Sequence, residues 1–508
     1  MSVPGDEAHT VWLRLDRRTV LVTALVMAGV AAGAAVPVFL GLTGAMAAWQ
    51  AALLVLSAAA LLIACATAAD YVRWRRTRYR IGEERAELHT GLLLVRRRSL
   101  ARERIRSVDL TASLLLRLLG LVKVRIGTGE QTGGESTLEL DPVTRAEGER
   151  LRRVLLARAE APPHAAHPDG VLATLDPAWI GYAPLSFVAP ALGGAAAGAV
   201  MQVSEWFGAQ GEVIAWVGDR FRDTSLLWLV LSLLAAALLT GAVGALGLWV
   251  EMWWNYRLER EPGGTIRVRR GLFTARSLSI EEQRLRGVEL VEPLGVRLLG
   301  AARVDAVATG LVKGGEDEHA DQSTLLPAAP RARADEVAAQ VLREPVAPTS
   351  GPLTAHPRAA RARRLRRAVG AALAPPLVLA MLGALLTDVL LYTAAICAVV
   401  LVPLAVLLAL DAYKSLGHGI HGDHLVARSG TFRRATVALQ RGAVIGWTVK
   451  QSYFQRRAGL ITLTATTAAG AGAYTVHDAD GSEVLRCAAE AVPELIEPFL
   501  ERAPVRGT

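Results

Sequence analysis

Hydrophobic and polar positions follow two different rhythms along this chain. Six apolar runs, approximately Val20–Leu42, Trp49–Ala69, Tyr182–Val203, Leu226–Val250, Ala368–Leu386 and Val389–Leu410, contain no Asp, Glu, Lys, Arg or His. Each is long enough to cross a bilayer, which takes about 20 residues as helix. They come in pairs joined by Thr43–Ala48, by Ser204–Ser225 and by the turn Thr387–Asp388, with long hydrophilic stretches between pairs. The pattern predicts transmembrane hairpins at residues 20–69, 179–250 and 368–410. Arg14, Arg17 and Arg18 give the first run the look of a signal peptide, but it is too long for one and a second span follows at once. In the middle connector, Trp206, Val213, Val217 and Phe221 fall close to helical spacing, as in an interfacial helix or an ordinary greasy loop.

The hydrophilic stretches keep the second rhythm, an alternation with period two. "IRSVDLTAS" and "LVKVRIGTG" read as strands, with Val122, Val124 and Ile126 inward and Lys123 and Arg125 on the wet face. "YRIGEERAELHTGLLL" reads as a hairpin with a polar turn. Polar loops follow at "GTGEQTGGES" and "KGGEDEHADQ", and helical patterns begin at Arg145, Arg331 and Ala488. Several strands closed by one helix make a small α+β design. Three such modules are predicted at residues 75–158, 253–343 and 415–502, each expected to fold on its own.

The modules are copies of one another. With Gly91, Gly271 and Gly430 in one column, Gly120, Gly300 and Gly459 share another, and Arg117, Arg297 and Arg456 stand three residues before them. The first two copies also match at Arg96/Arg276, Arg104/Arg284, Arg106/Arg286, Val108/Val288 and Leu110/Leu290, while the third has drifted. Asp141, Glu147 and Glu149 mark a helix start, where acids favour the dipole.

Charge orients this layout. Of 56 Lys and Arg, the connectors inside the pairs hold only Arg220 and Arg222. Arg73, Arg75, Arg76, Arg78 and Arg80 follow the second run, and Arg361, Arg363, Arg364, Arg366 and Arg367 precede the fifth. By the positive-inside rule the modules and both termini are cytoplasmic, in a multi-pass protein of the cell membrane. Topology thus accounts for the net charge of +9, and no nucleic-acid partner is needed. Cys65, Cys397 and Cys487 are too scattered for a disulfide framework or a metal site.

The order hairpin, "GLLLVRRRSLARERIRSVDL", "LLLRLLGLVKVRI", loop and terminal helix resembles the bacterial pleckstrin-homology (PH) domain of the YdbS/YdbT type. The paired spans with three modules resemble YdbT-like membrane proteins from Val20 to about Leu500. The resemblance implies a seven-stranded, strongly bent sheet capped by one helix. It implies no settled activity, and some relatives are associated with envelope stress and antimicrobial-peptide resistance.

Candidate chemistry is sparse. "HGIHGDH" places His418, His421 and His424 with Asp423 in metal-like proximity, but strand positions three apart alternate faces, so solvated hairpin residues are expected. "TTAAGAGAYTV" lacks the lysine of a phosphate loop. No catalytic constellation, cofactor motif or metal site emerges, and the expectation is a non-enzymatic membrane protein presenting PH-like binding modules. Its expected partners are the bilayer and either another membrane protein or anionic lipid. Arg73, Arg75, Arg76, Arg117, Arg297 and Arg456 are the candidate contacts, arginine being suited to phosphate, with a structural bond at the turn as the other reading of Arg117. A transporter or flippase for an apolar or lipid substrate is the alternative, since Pro37, Pro184, Pro190 and Pro403 can shape a cavity although the runs carry no ionisable group.

Overall fold

A computed structural model describes residues 12–82, 84–91, 96–102, 105, 107–127, 137–156, 170–186, 188–309 and 323–496. Most of both polar loops, Arg104, Arg106 and the end of the third module lie outside the described residues. The chain forms two compact units, one of Met1–Glu282 with Gly310–Gln322 and one of Gln283–Thr309 with Ser323–Thr508. The division falls inside the second module.

In the first unit, β1 (Leu13–Arg14), β2 (Arg78–Ile81), β3 (Arg85–Thr90) and β4 (Arg96–Ala101) form one antiparallel sheet in chain order. A second sheet holds β5 (Ser107–Ala112), β6 (Leu121–Gly127), β7 (Thr137–Thr144), β8 (Gly170–Thr174), β9 (Arg257–Glu261), β10 (Thr265–Arg270) and β11 (Ala275–Glu281). Its order is β7-β6-β5-β11-β10-β9-β8. The second unit repeats the scheme with β12 (Leu285–Pro293), β13 (Ala301–Ala308), β14 (Thr324–Pro330), β15 (Gly417–His421), β16 (His424–Ser429) and β17 (Arg433–Gln440), ordered β14-β13-β12-β17-β16-β15. β18 (Val444–Lys450), β19 (Leu460–Thr467) and β20 (Ala473–Asp480) form a last sheet.

This corrects the expectation of self-contained modules. The first strands and last strands of one module lie in different sheets, and the last three join the first strands of the next module. β5 pairs with β11, and β12 with β17. A lone module would expose these backbone edges, whose N–H and C=O groups the neighbour satisfies.

Local pattern explains the strands. On β6, Leu121, Val124 and Ile126 are buried, while Lys123 and Arg125 turn outward to Asp141 at 2.6 Å and Glu139 at 2.7 Å. Each fully buried Leu, Ile or Val stabilises by roughly 1.5–3 kcal/mol. The helix Arg145–Leu156 packs on β5, β6 and β7 and closes this core through Leu151 and Leu155.

Among the described residues, five helices are long and apolar enough to cross a membrane: Thr19–Thr43, Ala48–Arg76, Leu226–Trp253, Arg358–Leu386 and Asp388–Lys414. The third predicted run differs, because the 3₁₀ segment Pro177–Leu185 meets the helix Val188–Trp206 at 64°. Pro184 sits in that segment and the Ser186 hydroxyl turns back to the Ala183 carbonyl, so no straight helix forms there. Val188–Trp206 packs on Leu226–Trp253 through Gly193 and Gly241, where an added Cβ would lie 2.0 Å from the Ala237 carbonyl oxygen and 1.9 Å from that of Ala189. Small residues permit this approach. The connector segment Gln210–Arg220 is helical.

Each pair of apolar runs is an insertion near the start of a module. β1 precedes the first pair yet bonds β2 beyond it, and β8 precedes the second yet bonds β9. Thr354 precedes the third pair and bridges His418. The modules therefore begin before the runs, a feature without a signal in residues as few as Leu13–Arg14.

Candidate functional site

The repeated arginines lie on three tip helices, Leu114–Leu118, Leu294–Leu298 and Tyr453–Arg457. Each ends at a glycine of the repeat frame, Gly120, Gly300 or Gly459, with φ of 70°, 68° and 65°. A side chain is strained in this left-handed region, which is why the column is glycine. The third tip helix has a capping box between Ser452 and Gln455.

The same arginine has three different fates. Arg117 donates to the Leu272 carbonyl in the turn before β11, so it ties the first module to the second. Arg297 is nearly buried and pairs with Asp411 at 2.7 Å, near the end of the helix Asp388–Lys414 that leads into the third module. Arg456 is exposed and has no partner among the described residues. The first two therefore make tertiary bonds, Arg117 to the following module and Arg297 to the helix that leads into it, and not to their own turns.

The tips carry exposed apolar side chains beside the ends of membrane-length helices. Leu118 and Leu298 are each 77% exposed, and Tyr453 and Phe454 are 69% and 73% exposed. Arg18, at the start of Thr19–Thr43, donates to the Leu119 carbonyl at 2.8 Å. In the second unit, the Asp478 carboxylate accepts from Gln455 of the third tip at 2.8 Å and from Arg363 of the helix Arg358–Leu386. Arg73, Arg75 and Arg76 extend the last turn of Ala48–Arg76, where Arg73 pairs with Asp70 at 2.6 Å and Arg75 is exposed.

Charged clusters missed in sequence seal the module joints. Arg152 pairs with Glu149 at 3.1 Å and Glu261 at 2.7 Å, and Arg267 pairs with the same acids at 2.6 Å and 2.9 Å. The four groups close a ring between the first module's helix and β9 and β10 of the second. Burial raises the pKa values of Glu149 and Glu261, but the bonds and charges of Arg267 and Arg152 more than cancel that and hold both below their ordinary value. Glu149 is thus a joint residue more than a helix-start acid. In the second joint, Glu292 lies 2.7 Å from Arg434 and 2.8 Å from Arg331. Burial pushes Glu292 up, and Arg434 and Arg331 bring it below its ordinary value. Nothing in a single sequence links residue 149 to residue 267.

"HGIHGDH" forms the β15–β16 hairpin, with His421 opposite His424. His418 and His424 are buried, which corrects the expectation of solvated residues. His418 Nδ1 lies 3.2 Å from His356 Nε2, and His356 Nδ1 lies 3.2 Å from the Asp478 carbonyl oxygen. A carbonyl only accepts, so His356 carries its proton on Nδ1 and receives one from His418. Among the described residues no group of His, Cys, Asp and Glu could hold a metal ion.

The family model described as "Bacterial PH domain" matches residues 22–159, 212–345 and 375–492. The UPF0699 transmembrane protein YdbT of Bacillus subtilis (strain 168) is 29% identical over 91 residues, 18% of this chain and 18% of that protein. No solved structure matches. With more than half of its length under the family model, the chain belongs to the bacterial PH domain family, as a YdbT-like membrane protein with repeated PH domains.

Proposed function

We propose that this protein is a non-enzymatic membrane scaffold whose PH-like modules face the cytoplasm and hold a partner at the membrane surface. Six spans in three hairpins would carry the modules, with both termini on the cytoplasmic side. The observation that supports this reading best is the unequal use of the repeated arginine. Arg117 and Arg297 are consumed in joints, whereas Arg456 is exposed, without a side-chain partner among the described residues, beside Tyr453 and Phe454 on a tip tied through Asp478 to the base of an apolar helix. Exposed aromatic rings with cationic neighbours suit the interface between headgroups and water. Anionic lipid is the partner chemistry this tip favours, with a membrane protein as the other.

The test uses the full chain purified in mild detergent and analysed by native mass spectrometry. Wild type is expected to retain anionic phospholipid, and the Arg456→Ala, Arg457→Ala double variant to retain at least fivefold less. Equal retention by both would remove the tip from the account. A lipid transporter is the second reading, which the bent third run favours because broken helices line substrate paths in transporters. Movement of labelled lipid between leaflets of sealed vesicles would support it.

A further inference from the structure

The two internal joints are built to one register. In the first, Leu110 lies opposite Ser277 and Ala112 opposite Ala275. In the second, their repeat equivalents do the same, Leu290 opposite Thr436 and Glu292 opposite Arg434. Ser107 opposite Ile280 becomes Gly287 opposite Leu439. A joint is therefore a module's fifth strand-column meeting the fourth of the next, always in the same alignment.

Among the described residues, both halves of one further joint stay unpaired. β18 is the third copy of β5 and β12, and it is an edge strand. β4 is the first copy of β11 and β17, and it is an edge strand too. Residues buried in the joints are uncovered here. Val449 is 50% exposed, while its equivalents Leu110 and Leu290 are 6% and 0% exposed. Ser99 is exposed, while Ser279 and Ala438 are fully buried.

One glycine makes the match specific. In the second joint a Cβ on Gly287 would lie 2.0 Å from the Ala438 carbonyl oxygen, so the approaching backbone requires glycine. The third copy keeps this residue as Gly446, yet nothing lies within 4 Å of a Cβ there. The first joint has Ser107 at this place, and among the described residues Val108 and Asp109 do not pair with β11. Gly446 thus preserves room for a backbone that no described residue supplies.

We propose that β18 of one molecule pairs antiparallel with β4 of a second copy, in the register of the internal joints. Gly446 then lies opposite Leu100, Thr448 opposite Arg98 and Lys450 opposite Arg96. The contact is heterologous, so it builds a ring or a row of chains in the membrane plane.

The test co-expresses two differently tagged full-length chains, with Cys65, Cys397 and Cys487 replaced. One carries Thr448→Cys and the other Arg98→Cys. Directly opposed residues in an antiparallel pair lie about 4.5–5.5 Å apart, within disulfide reach. Oxidation in membranes is expected to give a product with both tags, at least tenfold above the Thr448→Cys with Ser99→Cys control, whose side chains leave opposite faces. Gly446→Val in the first chain should abolish the product with an unchanged melting temperature. A yield no greater than the control overturns the proposal, as does a product indifferent to Gly446→Val.

Discussion

The two module joints share a backbone and differ in their chemistry. The first is sealed by a ring of Arg152, Arg267, Glu149 and Glu261, the second by Glu292 between Arg331 and Arg434 with Glu289 beside Arg433 at 3.0 Å. The strand alignment is common to both. The ladder is thus the constant element, and the charges are interchangeable means of satisfying what the ladder buries. The closed ring has a consequence: loss of either arginine leaves two acids to share one cation, whereas Glu292 alone keeps one arginine when it loses the other.

The largest effect that distinguishes the joints is therefore at Arg267. Arg267→Ala leaves Glu149 and Glu261 sharing Arg152, and should cost about 3–5 kcal/mol in denaturant unfolding of the first unit, as for a buried pair with one partner removed. A loss below about 1 kcal/mol would mean that the ring is ornamental. Arg434→Ala should cost less, about 1–3 kcal/mol in the second unit, because Arg331 stays 2.8 Å from Glu292.

Within the arginine column the comparison repeats on a smaller scale. Arg297→Ala and Arg117→Ala should each destabilise by about 1–3 kcal/mol, by loss of bonds to Asp411 and to the Leu272 carbonyl. Arg456→Ala should stay within about 0.5 kcal/mol, as an exposed residue without a partner does. Equal costs for Arg297 and Arg456 would contradict the distinction between joined and free copies.

Acid should separate the units more gently. Glu149 and Glu261 have folded pKa values below the ordinary 4.5. Their contribution is complete above that value and fades as pH falls through the folded values. His356 is pushed down from 6.5 to about 4, by burial and then by His418, and burial lowers His418 as well. Folded histidines that resist protonation while unfolded ones accept it lose stability as pH falls from 6.5. Hydrogen exchange from neutral pH to about pH 3 should show the second unit weakening first. Simultaneous loss would contradict the role given to the histidine pair.

Much of this was legible along the chain because period-two alternation and the glycine frame are local. Val122, Val124 and Ile126 had to face a core once Lys123 and Arg125 faced water, and Gly120 had to mark a turn. The joints were not legible. β5 and β11 each read as ordinary strands, and only the third dimension says that they are neighbours. The arginines were found by repetition, but their partners Asp411 and Leu272 lie far off in sequence. His418 and His424 misled for a related reason: the hairpin was right, while its burial depends on segments such as His356 and Glu344, 3.6 Å from His424.

The central claim is that the sheets run through the module joints. Amide hydrogen exchange of the full chain in membranes, resolved along β5, β11, β12 and β17, tests it most directly. Continuous sheets predict protection in all four strands comparable to the interior strands β6, β10, β13 and β16. Modules that fold separately would leave these four strands as edges, with fast exchange at alternate amides, and that pattern would contradict the account.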